Sequence, residues 1–434
     1  MKLETFKSIL LVLLIGLSLL LTFGLWNYKS DFEQLETGKN YASEVSVGGK
    51  EERRNNLIAP SSIIFHINDE HFGYKDPQQE ETFFQDMQSW VMTDFTIRES
   101  SSRGIKDYDI EVIFPDALPI EIASSLFSFA NIDEIKANWS FDRIYLKLEE
   151  DTSTISIFFP SIDKRRLATA SLNVAVTYNG LEDLLASRKG LTEYLLFDKG
   201  NRDINDDDIY VRNNTNGLEK RSLIVSKISP DLFVEVLFPD PTLISRSDKG
   251  NMNSGEYYYA DSTREMRIRQ KETKLEFYNP NSTENASGDI GPIELIDLSI
   301  SRINSHKGWF DDYKLYELNT TNKSVTYQMQ YNGYPVHNTN GLTFIETEYE
   351  GQDIYRYSRS LLSLGREVQT EQVAVPSGAK IIAHLMDNLD DTVDIKDIEN
   401  IQLGYDFQYQ EDNSVILEPA WFMQVNGVWQ KILF

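Results

Sequence analysis

Cysteine is absent from all 434 residues. Disulfides, thiol nucleophiles, thiolate zinc sites and cysteine-ligated iron–sulfur clusters are therefore excluded. The compartment stays open, because an extracytoplasmic protein can dispense with disulfides. Positive charge is also scarce: 42 Lys+Arg stand against 68 Asp+Glu, for a net charge of −26. Such a surface repels phosphate backbones, and no Lys/Arg cluster offsets it, so no nucleic-acid partner is expected. Histidine is rare, with His66, His71, His306, His337 and His384 mutually distant except for the first two. Counted along one strand, His66 and His71 have opposite parity and are expected on opposite faces, and no H-E-x-x-H occurs; no metal site is expected.

Catalytic signatures are missing as well. There is no G-x-S-x-G, no Walker G-x-x-x-x-G-K-[ST] and no G-x-G-x-x-G. Paired carboxylates carry no information in a chain with 68 acidic residues. The acidic runs 387–397 and 205–208 lack the spacing of a twelve-residue calcium loop and read as solvated loops and helix starts. No residue stands out as catalytic, and no cofactor is expected. What the chain does have is apolar material: 41% hydrophobic and 12% aromatic residues, enough for real cores and too much for disorder.

One long hydrophobic run is present, at the N-terminus. From Ser8 to Tyr28 no residue is charged, and Ile9 to Trp26 would span roughly 27 Å as a helix, close to a bilayer core of about 30 Å. A cleaved signal peptide needs a shorter run and small residues before the cut; this run ends in Gly24-Leu-Trp-Asn-Tyr-Lys29 and reads as an uncleaved anchor. Lys2 and Lys7 precede it, and Asp31, Glu33 and Glu36 follow. The positive-inside rule therefore predicts a cytoplasmic N-terminus and an extracellular remainder. Leu11, Ile15, Ser18 and Thr22 form one stripe on the helix. They are candidates for contact with a partner helix, the alternative being hydroxyls tolerated by bonding their own backbone.

The rest of the chain reads as α+β, with mostly antiparallel sheets and few helices. Residues 1–30 are the cytoplasmic tip and transmembrane anchor, and 31–57, poor in large apolar residues, a juxtamembrane spacer. Three α+β regions follow, at 58–170, 171–288 and 289–434, the last boundary set by the polar run 279–288. Order is expected from Ser62-Ile-Ile-Phe-His-Ile67. Glu111-Val-Ile-Phe-Pro-Asp116 is echoed by Glu235-Val-Leu-Phe-Pro-Asp240, which suggests either two related modules or the coincidence of common turn chemistry. Asn426-Gly427 between two apolar runs predicts a hairpin, and Trp421 is a candidate core anchor.

An ordered set of patterns resembles the YycH family along essentially the whole chain. It includes Lys7, the apolar helix and Thr22-Phe-Gly-Leu-Trp26-Asn-Tyr28, then Gly333-Tyr-Pro-Val-His337 and Gly341-Leu-Thr-Phe-Ile345. Tyr355-Arg-Tyr-Ser-Arg359, Val375-Pro-Ser-Gly378 and Leu417-Glu-Pro-Ala-Trp421-Phe-Met-Gln-Val-Asn-Gly427 complete it. The resemblance implies a single-pass cell-membrane protein of a Gram-positive bacterium with a large extracytoplasmic region. It further implies regulation of a WalK-like sensor histidine kinase of the WalK/WalR system governing cell-wall metabolism, together with a YycI-like partner as a heterodimer. The closing region, 289–434, also resembles YycI. The family has no catalytic residues to carry over, and its effect on the kinase differs in sign between species. The alternatives from the residues alone are an extracytoplasmic ligand-binding sensor module and an anchored cell-wall enzyme.

Overall fold

Apolar residues alternate with polar ones along most segments after residue 60, and such alternation encodes strands with one buried face. In Thr154–Pro160, Ile155, Ile157 and Phe159 are buried while the residues between them are not. The computed structural model describes residues 46–100, 105, 107–132, 135–199, 208–248, 256–280, 290–388, 394–410 and 412–434. All of these belong to one compact unit.

Two sheets dominate it. The ten strands of the first run in the order Ile209–Arg212, Leu191–Phe197, Glu70–Tyr74, Ser62–Ile67, Ile110–Pro119, Ser140–Glu149, Thr154–Pro160, Arg166–Leu172, Val91–Glu99 and Ser128–Phe129. All neighbours are antiparallel except the last pair. The second sheet has fourteen strands. Its backbone of hairpins runs from Ser245–Asp248 through Lys274–Tyr278, Asp353–Ser360 and Ser324–Tyr331 to Tyr334–His337, where one parallel step leads to Ile398–Tyr409. Ser414–Val425, Glu219–Lys227 and Leu362–Gln372 finish it.

Helices are few. Helix α1, Pro77–Ser89, begins where the Asp76 carboxylate accepts the Gln78 amide and Pro77 occupies the first turn; it buries Phe83, Phe84 and Met87. Helix α2 is Ala175–Ser187, α3 Pro230–Leu237, α4 Pro292–Asn304 and α5 Gly378–Asn388. Phe83, Phe84, Met87, Trp90, Val91 and Met92 have helical spacing that would carry a helix on to Phe95, but Trp90 closes α1 and Val91 to Glu99 is a strand.

The sheets do not follow the expected boundaries at 170/171 and 288/289. Leu191–Phe197 pairs with Glu70–Tyr74, so the first sheet recruits strands from beyond residue 171. Lys274–Tyr278 pairs with Asp353–Ser360, so the second sheet crosses residue 289. A polar, turn-rich stretch marks a loop, and a loop need not separate one core from another. The echoed hexapeptides also differ in structure. Glu111–Asp116 lies in a strand, whereas Glu235 to Leu237 end helix α3, which Ser229 caps and Pro230 opens. Capping and the buried Phe233–Val234–Leu237 face decide the second case, and the shared letters encode no shared structure.

Nor are residues 46–57 a loose spacer. Val47, Leu57 and Ile58 are buried, Arg54–Leu57 is a single helical turn, and Lys50 forms a β-bridge with Trp309. Order thus begins well before Ser62. Sparse large side chains point to the opposite reading, but main-chain hydrogen bonds do not depend on side-chain size.

The cores join the two sheets. The larger cluster includes Phe65, Phe141 and Phe159 of the first sheet with Phe277, Tyr327 and Trp309 of the second half. A smaller one sets Phe197, Ile209 and Val211 against Ile381, Leu385, Ile401 and Trp421. Trp421 is 2% exposed, and its Nε1 donates to the Pro376 carbonyl at 2.8 Å. Asn426 and Gly427, at φ 50° and 74°, turn Ser414–Val425 into Val428–Lys431 as the Asn-Gly pair predicts.

Candidate functional site

The stripe Leu11, Ile15, Ser18 and Thr22 lies outside the described residues, as does the rest of the expected anchor. Among the described residues no helix is long and apolar enough to cross a membrane. The first described segment is docked rather than dangling. Val47 N donates to His306 O at 2.9 Å, Gly49 N to Lys307 O at 3.0 Å and Lys50 N to Trp309 O at 2.8 Å. Asn304, at the end of α4, accepts the Glu52 amide at 2.9 Å and donates back to the Glu52 carbonyl at 2.8 Å. Its Oδ1 also accepts Trp309 Nε1 at 2.7 Å. Arg54 pairs with Asp297.

Beneath this dock lies a buried polar knot. Arg359, 1% exposed, donates to Gly308 O at 2.6 Å and to the Tyr357 hydroxyl at 3.1 Å, and its guanidinium sits 4.9 Å from the Phe310 ring and 5.4 Å from that of Phe233. His306 Nε2 is 3.3 Å from the same hydroxyl. Burial, reinforced by Arg359, pushes His306 down to about 3, so it is neutral at physiological pH.

His66 and His71, expected on opposite faces, are brought together. Their Nδ1 atoms lie 3.0 Å apart, and His66 Nε2 is 3.2 Å from Glu111 Oε2. Parity holds along one extended strand. Here Asn68 and Asp69, both at positive φ, reverse the chain and set His66 directly opposite His71, where paired residues share a face. Burial alone would raise the Glu111 carboxyl, but Arg143, with which it pairs, and His66 hold it below the usual carboxylate range. Among the described residues no three His, Cys, Asp or Glu side chains converge as a metal site. In the acidic run 387–397, Asp394 caps a short 3₁₀ turn by accepting the Lys396 amide. Its centre, 389–393, lies outside the described residues.

Both sheets contribute walls to a cavity of about 180 Å³. Tyr74 and Tyr194 come from the first sheet, Glu80 from α1, Arg212 from the sheet's edge strand and Tyr334 from the second sheet. Arg212, 9% exposed, donates from Nε to Asn214 O at 2.9 Å, from Nη1 to the Tyr334 hydroxyl at 2.9 Å and from Nη2 to Lys75 O at 2.7 Å. Glu80 accepts the Ile63 amide, yet burial pushes its carboxyl up to about 8, Arg212 offsetting only part of the cost. The seam beside the cavity is close. Gly333, at φ +75°, meets the first residue of α1, and a Cβ there would lie 2.5 Å from Pro77 Cβ. Sequence reading missed Glu80 and Arg212, because a lone Glu on a helix and a lone Arg on a four-residue strand carry no pattern until the fold joins them.

Residues 4–189 match the description "YycH protein, N-terminal domain", and residues 206–434 match "YycH protein, C-terminal domain". The chain belongs to the YycH family. A relative from Bacillus subtilis (strain 168), named "Two-component system WalR/WalK regulatory protein YycH", is 24% identical over 461 residues, covering 98% of this chain and 96% of the relative. The crystal structure of YycH from Bacillus subtilis superposes with a TM-score of 0.69 at 19% identity, over 89% of this chain and 99% of that one. The shared fold is thus the YycH fold. The N-terminal YycH match ends at 189, yet Leu191–Phe197 and Ile209–Arg212 are needed to complete the first sheet.

Proposed function

We propose that this YycH-family chain is a non-enzymatic regulator of a two-component system of the WalR/WalK type, acting on its sensor histidine kinase. The observation that carries the proposal is the match, over nearly the full length of both chains, to a relative named as a WalR/WalK regulatory protein. In this reading the apolar run 9–26 anchors the chain in the cell membrane, with Lys2 and Lys7 inside and residues 46–434 outside. The chain acts there with a YycI-like partner as a heterodimer, and the consequence is control of cell-wall homeostasis. The stripe Leu11, Ile15, Ser18 and Thr22 is the contact with the kinase's membrane helices. No water is released between membrane helices, so close approach decides whether they associate.

The absence of recognisable catalytic sequence motifs supports a binding rather than an enzymatic role. Ser18→Leu with Thr22→Leu tests the helix contact, since leucine favours insertion while blocking close approach. The double variant should insert normally, retain less kinase on immunoprecipitation and fail to restore a WalR-dependent reporter in cells lacking the chain. Gly16→Leu, on another face, should do less. Wild-type binding and regulation by the double variant would reduce the anchor to a tether.

A further inference from the structure

Five charged residues line the cavity shared by the two sheets: Glu80, Glu81, Arg212, Asp312 and Lys314. Three of them form one cluster, Lys314 Nζ lying 3.0 Å from Glu81 and 3.5 Å from Asp312. Glu80 and Arg212 remain, and neither makes an ion pair among the described residues. Arg212 donates to two carbonyls and to the hydroxyls of Tyr334 and Tyr194, all neutral. A guanidinium has five N–H donors in a planar fork that suits a carboxylate, so one donor is left over. Buried charges are ordinarily matched by an opposite charge. Arg359 is also buried without a carboxylate, but Phe233 and Phe310 enclose it and it does not line this cavity. Arg212 lines the cavity, its guanidinium 5.9 Å from the Tyr334 ring.

We infer that the cavity binds a free amino acid, its carboxylate on Arg212 and its ammonium on Glu80, among the rings of Tyr74, Tyr194 and Tyr334. Arg212 and the ionisable carboxyl of Glu80, neither of them in an ion pair, line one cavity. A ligand carrying only a carboxylate would meet Arg212 and make no use of Glu80. Tyrosine faces attract an ammonium and give apolar contact to a side chain. The size agrees: an apolar cavity of about 150 Å³ holds benzene, and this one is about 180 Å³. A zwitterion has no net charge, so the field of a chain at −26 neither repels nor concentrates it. One consequence is specific. With burial pushing Glu80 up to about 8, its carboxyl is largely protonated at pH 7, and an arriving ammonium would favour its ionisation. Binding would then release a proton.

The test is calorimetry on the full-length protein in detergent micelles. Glycine, both enantiomers of alanine, and L-serine, L-glutamate and L-phenylalanine are titrated at pH 7 in buffers of differing ionisation heat. At least one should bind with one-to-one stoichiometry and release protons. Its N-acetyl derivative, without the ammonium, and its methyl ester, without the carboxylate, should each bind at least about tenfold more weakly. Glu80→Gln keeps the size and the neutrality of the protonated carboxyl. It should melt no lower than wild type at pH 7 while losing both affinity and proton release. The inference is overturned if none of the amino acids binds saturably, or if either derivative binds as tightly as its parent. It is also overturned if folded Glu80→Gln binds like wild type. The derivative series needs only the wild-type protein, so it decides the matter even if Glu80→Gln folds poorly.

Discussion

Gly49 lies where the docked lead-in segment crosses Trp309, and replacing it by alanine should open the dock. A Cβ there would stand 2.5 Å from the Trp309 carbonyl oxygen and 2.6 Å from that of Lys307. Both are backbone atoms and cannot swing aside as a side-chain tip would. The two segments must separate, stretching the bonds Val47 N to His306 O, Gly49 N to Lys307 O and Lys50 N to Trp309 O. Forced overpacking of this kind costs about 1–3 kcal/mol. At about 1.4 kcal/mol per factor of ten, local opening should become roughly 5- to 150-fold more frequent. Hydrogen exchange read by mass spectrometry is the assay. Peptides spanning 46–52 should exchange faster by that factor, while those spanning 414–425 should not change. Gly180→Ala is the control: nothing lies within 4 Å of its Cβ, and in the interior of α2 it should stabilise by up to about 1 kcal/mol. Unchanged exchange at 46–52 in Gly49→Ala, or equal acceleration throughout the chain, would refute the dock.

Further outcomes are expected. A fragment beginning at residue 46 should melt higher than one beginning at residue 60, since the shorter one loses buried Val47, Leu57 and Ile58 and the Lys50–Trp309 bridge; equal melting temperatures would mean the segment adds nothing. Trp421→Ala should lower unfolding free energy by on the order of 3–5 kcal/mol in urea titrations, through the cavity it leaves and the lost bond to Pro376. His306 and His337, both pushed down to about 3 chiefly by burial, bind fewer protons folded than unfolded. Stability they favour at neutral pH should therefore be lost as pH falls from about 6.5 toward 3, by up to about 1.4 kcal/mol per pH unit for each. Replacing His337, stacked 4.0 Å from the Phe422 ring, with Phe should flatten that slope. Glu80 works in the opposite sense. Its raised pKa contributes stability at low pH that is lost as pH rises from about 4.5 through 8, and Glu80→Gln should remove this component of the profile in urea titrations across pH.

Local chemistry was the legible share of this chain. Asn426-Gly427 places the last hairpin, and Trp421 is buried as its apolar setting suggests. Features joined across sequence were illegible. Which strands border which is a long-range choice, so Leu191–Phe197 gives no sign of its place beside Glu70–Tyr74. His66 and His71 misled because a parity rule was carried through a chain reversal. The 46–57 segment misled because composition reports apolar burial and is blind to main-chain docking. The cavity pair Glu80 and Arg212, 132 positions apart by their numbers, meets only once both sheets are assembled.

The central claim is that the chain regulates a sensor histidine kinase by direct association. The most direct measurement is a crosslinked pull-down of the full-length protein from native membranes, with captured proteins identified by mass spectrometry against an anchor-only control. The account predicts that a WalK-like kinase is recovered with a YycI-like protein, and that both fall away when Ser18 and Thr22 are replaced by leucine. Abundant chain in the membrane with neither protein enriched over the control would contradict it.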